Sequence, residues 1–132
     1  MIKAELDKAK GVLHARPSGP LEAADFDRLA ALADPYIQKK GELTGLMIEA
    51  KEFPGWKDFA GMIKHFRFVR NHHRKIRRVA LVTDARLGKI AEKLARHFVA
   101  AQVKRFPAGH AGSARTWLTQ SQKAEAGSQK SK

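Results

Sequence analysis

Apolar and polar positions alternate in two short runs near the start of the chain, IKAEL (2–6) and GVLHARPSG (11–19). A period of two marks a half-buried strand, so two strands are expected, joined tightly at Lys10-Gly11. The period then lengthens. Over residues 20–41, PLEAADFDRLAALADPYIQKKG, the apolar positions Phe26, Leu29, Ala33, Tyr36 and Ile37 fall on one face of a helix that Gly41 stops. Leu21 and Phe26 are placed to staple its start around Glu22. Pro35 lies inside this helix and should bend or end it, because proline has no N–H to donate.

LTGLMIEA (43–50) is a nearly continuous apolar run, the pattern of a strand covered on both faces. Residues 57–72 have helical spacing. RRVALVTD (77–84) reads as a second buried strand, followed by a helix over 85–98 with Leu87, Ile90, Leu94 and Phe98 in register and Asp84 as its cap. AQVKRFP (101–107) is a last strand, and AGSARTWLTQ (111–120) a short closing helix. After the first two strands the order is α-β-α-β-α-β-α. Such alternation predicts a single α/β domain with a mixed, mostly parallel five-stranded sheet, right-handed crossovers and about four helices. The domain should occupy 1–120. Residues 121–132 contain no apolar side chain larger than Ala and are expected to form a disordered tail.

Composition changes this picture in one respect. A chain of 132 residues suits one domain and needs no staple for its core. It has no cysteine, which removes disulfides, thiol nucleophiles and thiolate metal sites, and fits a reducing, cytoplasmic setting. Neither a signal-peptide pattern nor an apolar run of spanning length is present. The charge is the unusual feature, a net +13. Over half of it sits in Lys64, Arg67, Arg70, Arg74, Lys75, Arg77 and Arg78, within a stretch that has no acid. A field of that kind attracts nucleic acid, anionic lipid or acidic protein.

The basic stretch overlaps the helix that follows Pro54-Gly55. At about 100° per residue, Trp56, Phe59, Met62, Ile63, Phe66 and Val69 share an arc of roughly 140°, expected to pack on the sheet. Phe68 points away from that arc, beside Lys57 and Lys64, and is expected at the surface. Arg67 and Arg70 enter the arc at its far end. Aromatic and cationic residues thus mix, as on a surface meeting a lipid head group and its acyl chain.

Catalytic chemistry finds little support. His65 and His72 are about 10.5 Å apart along a helix, too far to share an ion, so no metal site is expected. The chain has no G-x-S-x-G elbow, P-loop or G-x-G-x-x-G, and no cofactor is implied. Asp84 ends a central strand, where α/β proteins place ligands, and Glu49 and Glu52 end its neighbour. Glu52 and Asp84 are therefore candidates for lining one crevice.

Taken together, FPGW (53–56), HFRF (65–68), IRRVALVTD (76–84), VKRF (103–106) and WL (117–118) resemble the SpoIIAA-like family, related to STAS domains and grouped with CRAL-TRIO lipid-binding folds. The resemblance spans about residues 1–118. It implies a five-stranded mixed sheet with four helices in a βα superhelix. Phosphorylatable STAS regulators are anti-anti-sigma factors with a serine near the start of the helix after the third strand. The corresponding stretch here, EAKEFPGWKD (49–58), has no Ser or Thr, which argues against that switch. The lipid-binding group implies instead a helix that swings from the sheet.

The first reading is therefore a non-enzymatic binder of a lipophilic small molecule or an anionic membrane. Pro54 and Gly55 would be the hinge, and Trp56, Phe59, Met62, Ile63, Phe66 and Phe68 the apolar contacts. Lys64, Arg67, Arg70, Arg74 and Lys75 would meet the anionic surface, and the location would extend to the inner membrane face. A STAS-like module with a protein partner or as a homodimer is the alternative. Nucleic-acid binding through 64–78 ranks below, because most of the aromatics lie on the expected core face rather than on a stacking platform.

Overall fold

The computed structural model describes residues 1–51, 55–84 and 102–120. Its centre is a five-stranded sheet in which each strand lies beside its sequence neighbour: β1 (Ile2–Asp7), β2 (Val12–Pro17), β3 (Leu43–Glu49), β4 (Ile76–Val82) and β5 (Gln102–Phe106). β1 and β2 are antiparallel, with Ala4 opposite Ala15, and every later pair is parallel. A mixed, mostly parallel sheet is thus the observed architecture. Three α-helices occur among the described residues: α1 (Ala23–Lys40), α2 (Phe59–His72) and α3 (Ala111–Leu118). The fourth helix expected at 85–98 and the tail expected at 121–132 lie outside those residues, as do Glu52 and Pro54. Among the described residues no helix is long and apolar enough to cross a membrane.

The two faces of the sheet have separate cores. On one, Leu13, Leu46, Val79 and Leu81 pack against Phe26, Leu29, Ala33 and Ile37 of α1 and against Phe68 and Val69 of α2. On the other, Val12, Met47, Ala80, Val82 and Phe106 pack against Ala114 and Leu118 of α3. The near-continuous apolar runs of β3 and β4 follow from this arrangement, since both of their faces are covered. Arg78 of the basic run is fully buried beneath α3. It donates from Nη1 to the carbonyl oxygens of Trp117 and Gln120, each at 2.7 Å, and its guanidinium lies 5.6 Å from the Trp117 ring centre. One cation of the run is therefore construction rather than surface.

α1 begins with a reciprocal box between Glu22 and Asp25, which satisfies two backbone N–H groups of the first turn. Gly41, with φ of 94°, ends it and donates to the Ile37 carbonyl at 2.6 Å. Of the two outcomes expected at Pro35, a bend or an end, the end does not occur: the helix runs through it to Lys40. Pro35 is exposed, so the carbonyl left without a helical donor four residues earlier, at Ala31, is on the hydrated side.

Candidate functional site

Residues 55–57 form a strap that clips the start of α2 to the start of α1. Leu21 N donates to the Gly55 carbonyl and Lys57 N donates to the Leu21 carbonyl, both at 2.8 Å, around a parallel bridge between Leu21 and Trp56. Gly55 has φ of 77°, a backbone conformation glycine adopts without strain. Asp58 caps α2 by accepting from Gly61 N at 2.9 Å. A Cβ on Gly61 would lie 2.6 Å from the Leu21 carbonyl oxygen, so the absence of a side chain there sets how closely the two helices meet.

That close approach fixes the rotation of α2. Gly61, Phe68, Val69 and His72 face inward. Phe68, expected at the surface, is only 7% exposed; its ring lies 6.1 Å from Phe26 and stacks on His72 at 4.1 Å. His72 reaches the Phe68 carbonyl oxygen (2.8 Å) with Nδ1 and the Asp34 carboxylate (2.7 Å) with Nε2. Phe59 and Phe66, expected to pack on the sheet, are instead 72% and 38% exposed, with Met62 and Ile63 half-buried beside them. Phe68 and Gly61 lie roughly 180° and 160° around the helix from Phe59. α2 thus carries two apolar arcs, and the one beside the side-chain-free Gly61 is buried.

Acidic residues of α1 secure this orientation. Lys57 pairs with Glu22 at 2.8 Å and Lys64 with Asp27 at 3.0 Å. Glu22, by hydrogen bond and charge, raises the pKa of Lys57. Lys64, expected to meet an anionic surface, is half-exposed and engaged with Asp27 of α1. Trp56 is half-buried; its Nε1 donates to His65 Nδ1 at 3.1 Å and its ring meets Phe66 edge-on at 5.8 Å. His65 in turn stacks on Phe26 at 4.9 Å.

The outward face that results has two halves. Phe59, Ile63 and Phe66, with Met62 at the margin, make the apolar half. Arg70 continues the same line and Arg67 flanks it, both exposed, with Arg74 and Lys75 exposed just beyond the helix. Among the described residues none of these four cations has an acidic partner. The strands end elsewhere. Glu49 meets His14 at 2.9 Å, and the exposed Asp84 accepts from Ala108 N at 2.9 Å, joining the end of β4 to the loop after β5. Glu49 and Asp84 are tied separately, and Glu52, the other half of the expected crevice with Asp84, lies outside the described residues. Among the described residues no three His, Cys, Asp or Glu side chains group as a metal site.

Lys57, Gly61 and His65, on which this geometry depends, are not among the expected contact residues. Only Gly61 carries a readable signal, because a glycine within a helix marks a close backbone approach. His65 is named by its neighbours in space, nine residues from Trp56 and on a different helix from Phe26.

No curated protein matches the chain. Among solved structures, an uncharacterised protein of the DUF3478 family with a SpoIIAA-like fold, from Shewanella loihica PV-4, superposes with a TM-score of 0.66 at 20% identity. The match covers 89% of this chain and 92% of that one, a likeness of fold. The sequence profile of the SpoIIAA-like family matches residues 12–119. With that match over most of its length, the chain belongs to the SpoIIAA-like family.

Proposed function

We propose that the protein is a non-enzymatic binding module that attaches to an anionic membrane surface through the outward face of α2. The observation that carries this reading is Phe59, 72% exposed in line with Ile63, Phe66 and Arg70. An apolar row costs free energy in water, and here it runs directly into Arg67 and Arg70, which have no acidic partner among the described residues. A membrane interface with anionic head groups matches both halves. A second copy of the chain matches them poorly, because an antiparallel two-fold contact of α2 would lay Arg67 and Arg70 over the apolar end of the partner helix and strip them of water without an acid to meet. Attachment needs no swinging of α2. Its apolar arc already faces outward while the strap and the α1 carboxylates hold the inner arc in place.

Flotation with phosphatidylglycerol-containing and purely zwitterionic vesicles tests the proposal. The protein should rise with the anionic vesicles at low salt and stay behind with the zwitterionic ones. R67A/R70A should weaken binding roughly 30-fold, at about 1 kcal/mol for each cation near the surface. F59A/F66A should weaken it as well, since a buried Phe contributes about 2 kcal/mol. If the protein stays at the bottom of both gradients, the membrane reading is wrong. Capture of an acidic protein by the same face would then replace it.

A further inference from the structure

The basic run HHRKIRR (72–78) divides sharply by engagement. His72 at one end and Arg78 at the other are buried and committed, to Asp34 and the Phe68 carbonyl and to the carbonyls ending α3. Between them, His73, Arg74, Lys75 and Arg77 have no acidic partner among the described residues. His73 Nδ1 and Arg77 Nε are moreover buried atoms with no hydrogen-bond partner. Such atoms are rare in folded proteins; the Arg77 Nε–H calls for an acceptor, and His73 Nδ1 for an acceptor or a donor according to its tautomer.

The sheet register brings more cations to the same place. Leu43 of β3 is paired with Ile76 of β4. The segments that enter these two strands, Gly41-Glu42 after α1 and Arg74-Lys75 after α2, therefore reach the same end of the sheet at neighbouring strands, which are about 5 Å apart where they pair. Lys39 and Lys40 are exposed, as are Arg74 and Lys75. The only acid between Lys40 and Ile76 on these two turns is Glu42, which is exposed and makes no ion pair among the described residues. Complementing the negative ends of two helices accounts for Lys39 and Lys40. It does not account for Arg74 and Lys75 beyond the end of α2, or for Arg77 within a strand.

We infer that this rim, at the sheet edge where α1 and α2 end, binds a phosphomonoester group carried on a lipid headgroup. A phosphomonoester concentrates close to two negative charges and three acceptor oxygens on one centre. A phosphodiester offers one charge. Guanidinium forks suit the former, and Arg74, exposed at the rim, supplies one beside the ammonium groups of Lys39, Lys40 and Lys75. The lipid carrier rests on the membrane reading above, whereas phosphate recognition by the rim does not. The outward face of α2 leads through Arg70 to Arg74, so a headgroup at the rim would lie at the cationic end of the apolar row.

Two measurements on the full chain separate these claims. The first is flotation with vesicles matched in surface potential but containing either phosphatidate or phosphatidylglycerol. Half-saturation should need about fivefold less phosphatidate, the factor one additional charge contact supplies. K39A/K40A/R74A, all exposed positions, should abolish that preference, whereas F59A/F66A should weaken both vesicles alike and keep it. Equal affinity of the wild type for both vesicles, or a preference that survives K39A/K40A/R74A, overturns the inference. The second is titration with inorganic phosphate followed by amide chemical shifts. Changes centred on 39–42 and 73–77 support the rim even if no vesicle is bound, and shifts spread over all exposed cations overturn it.

Discussion

Asp25 is 1% exposed, yet its carboxylate holds four groups. It accepts from Ile2 N at 3.1 Å and Glu22 N at 2.8 Å, pairs with Arg28, and lies 3.4 Å from the Met1 ammonium. Burial alone would raise its pKa. The two backbone donors and the two cations outweigh burial and hold the carboxyl below its ordinary value of 3.8. The unfolded chain therefore takes up this proton more readily than the folded one. The stabilisation is complete above the ordinary value and is lost as pH falls through the lowered one. D25N should cost about 1–3 kcal/mol at neutral pH, because it weakens a charge-assisted acceptor of two backbone N–H groups while Arg28 and the Met1 ammonium stay solvated. Its melting temperature should also fall less steeply than that of the wild type below pH 4, as followed by circular dichroism. At the same scale, G61A sets a helix-propensity gain of ~1 kcal/mol against a Cβ forced onto a backbone oxygen. That oxygen cannot rotate away as a side chain would, so the contact should win by about 1–3 kcal/mol in urea unfolding.

At the scale of the element, α2 shows what a hydrophobic pattern conveys and what it omits. Its helical period, its start after Trp56 and its end near His72 were legible in the sequence, because spacing alone determines them. Its rotation was not. Phe59, Ile63 and Phe66 make as good an apolar arc as Phe68 and Val69 with the two histidines. The choice between them lies in partners on α1 and the residues that lead into it: Glu22, Asp27, Asp34 and the Leu21 carbonyl that Gly61 admits. The strands were read more securely, since β3 and β4 are covered on both faces and leave no face to choose. The rotation has a direct check. F68A should destabilise the fold by about 3–5 kcal/mol, as for other buried phenylalanines. F59A should change stability by less than about 0.5 kcal/mol. A packed Phe59 and an exposed Phe68 would give the opposite order in the same denaturation series.

Across the whole molecule, over half of the net charge of +13 lies within residues 64–78, and there it is sorted. Asp27 of α1 pairs with Lys64, Arg78 is consumed in supporting α3, and Arg67, Arg70, Arg74 and Lys75 stay exposed along the outer side of α2 and the rim below it. Attachment built this way depends on ionic strength. Raising salt from 50 to 500 mM should release the protein from anionic vesicles, because the Debye length drops from about 14 to about 4 Å. Retention at high salt would mean that the aromatic row, not the cations, carries the binding.

The strand order itself has a consequence for how such a chain is made. Every strand lies next to the one synthesised just before it. As the polypeptide leaves the ribosome, the first hairpin offers an edge to β3, β3 to β4, and β4 to β5, so no strand waits for a distant partner still to be translated. Vectorial accretion of this kind keeps each new edge exposed only briefly, which shortens the window for aggregation during synthesis.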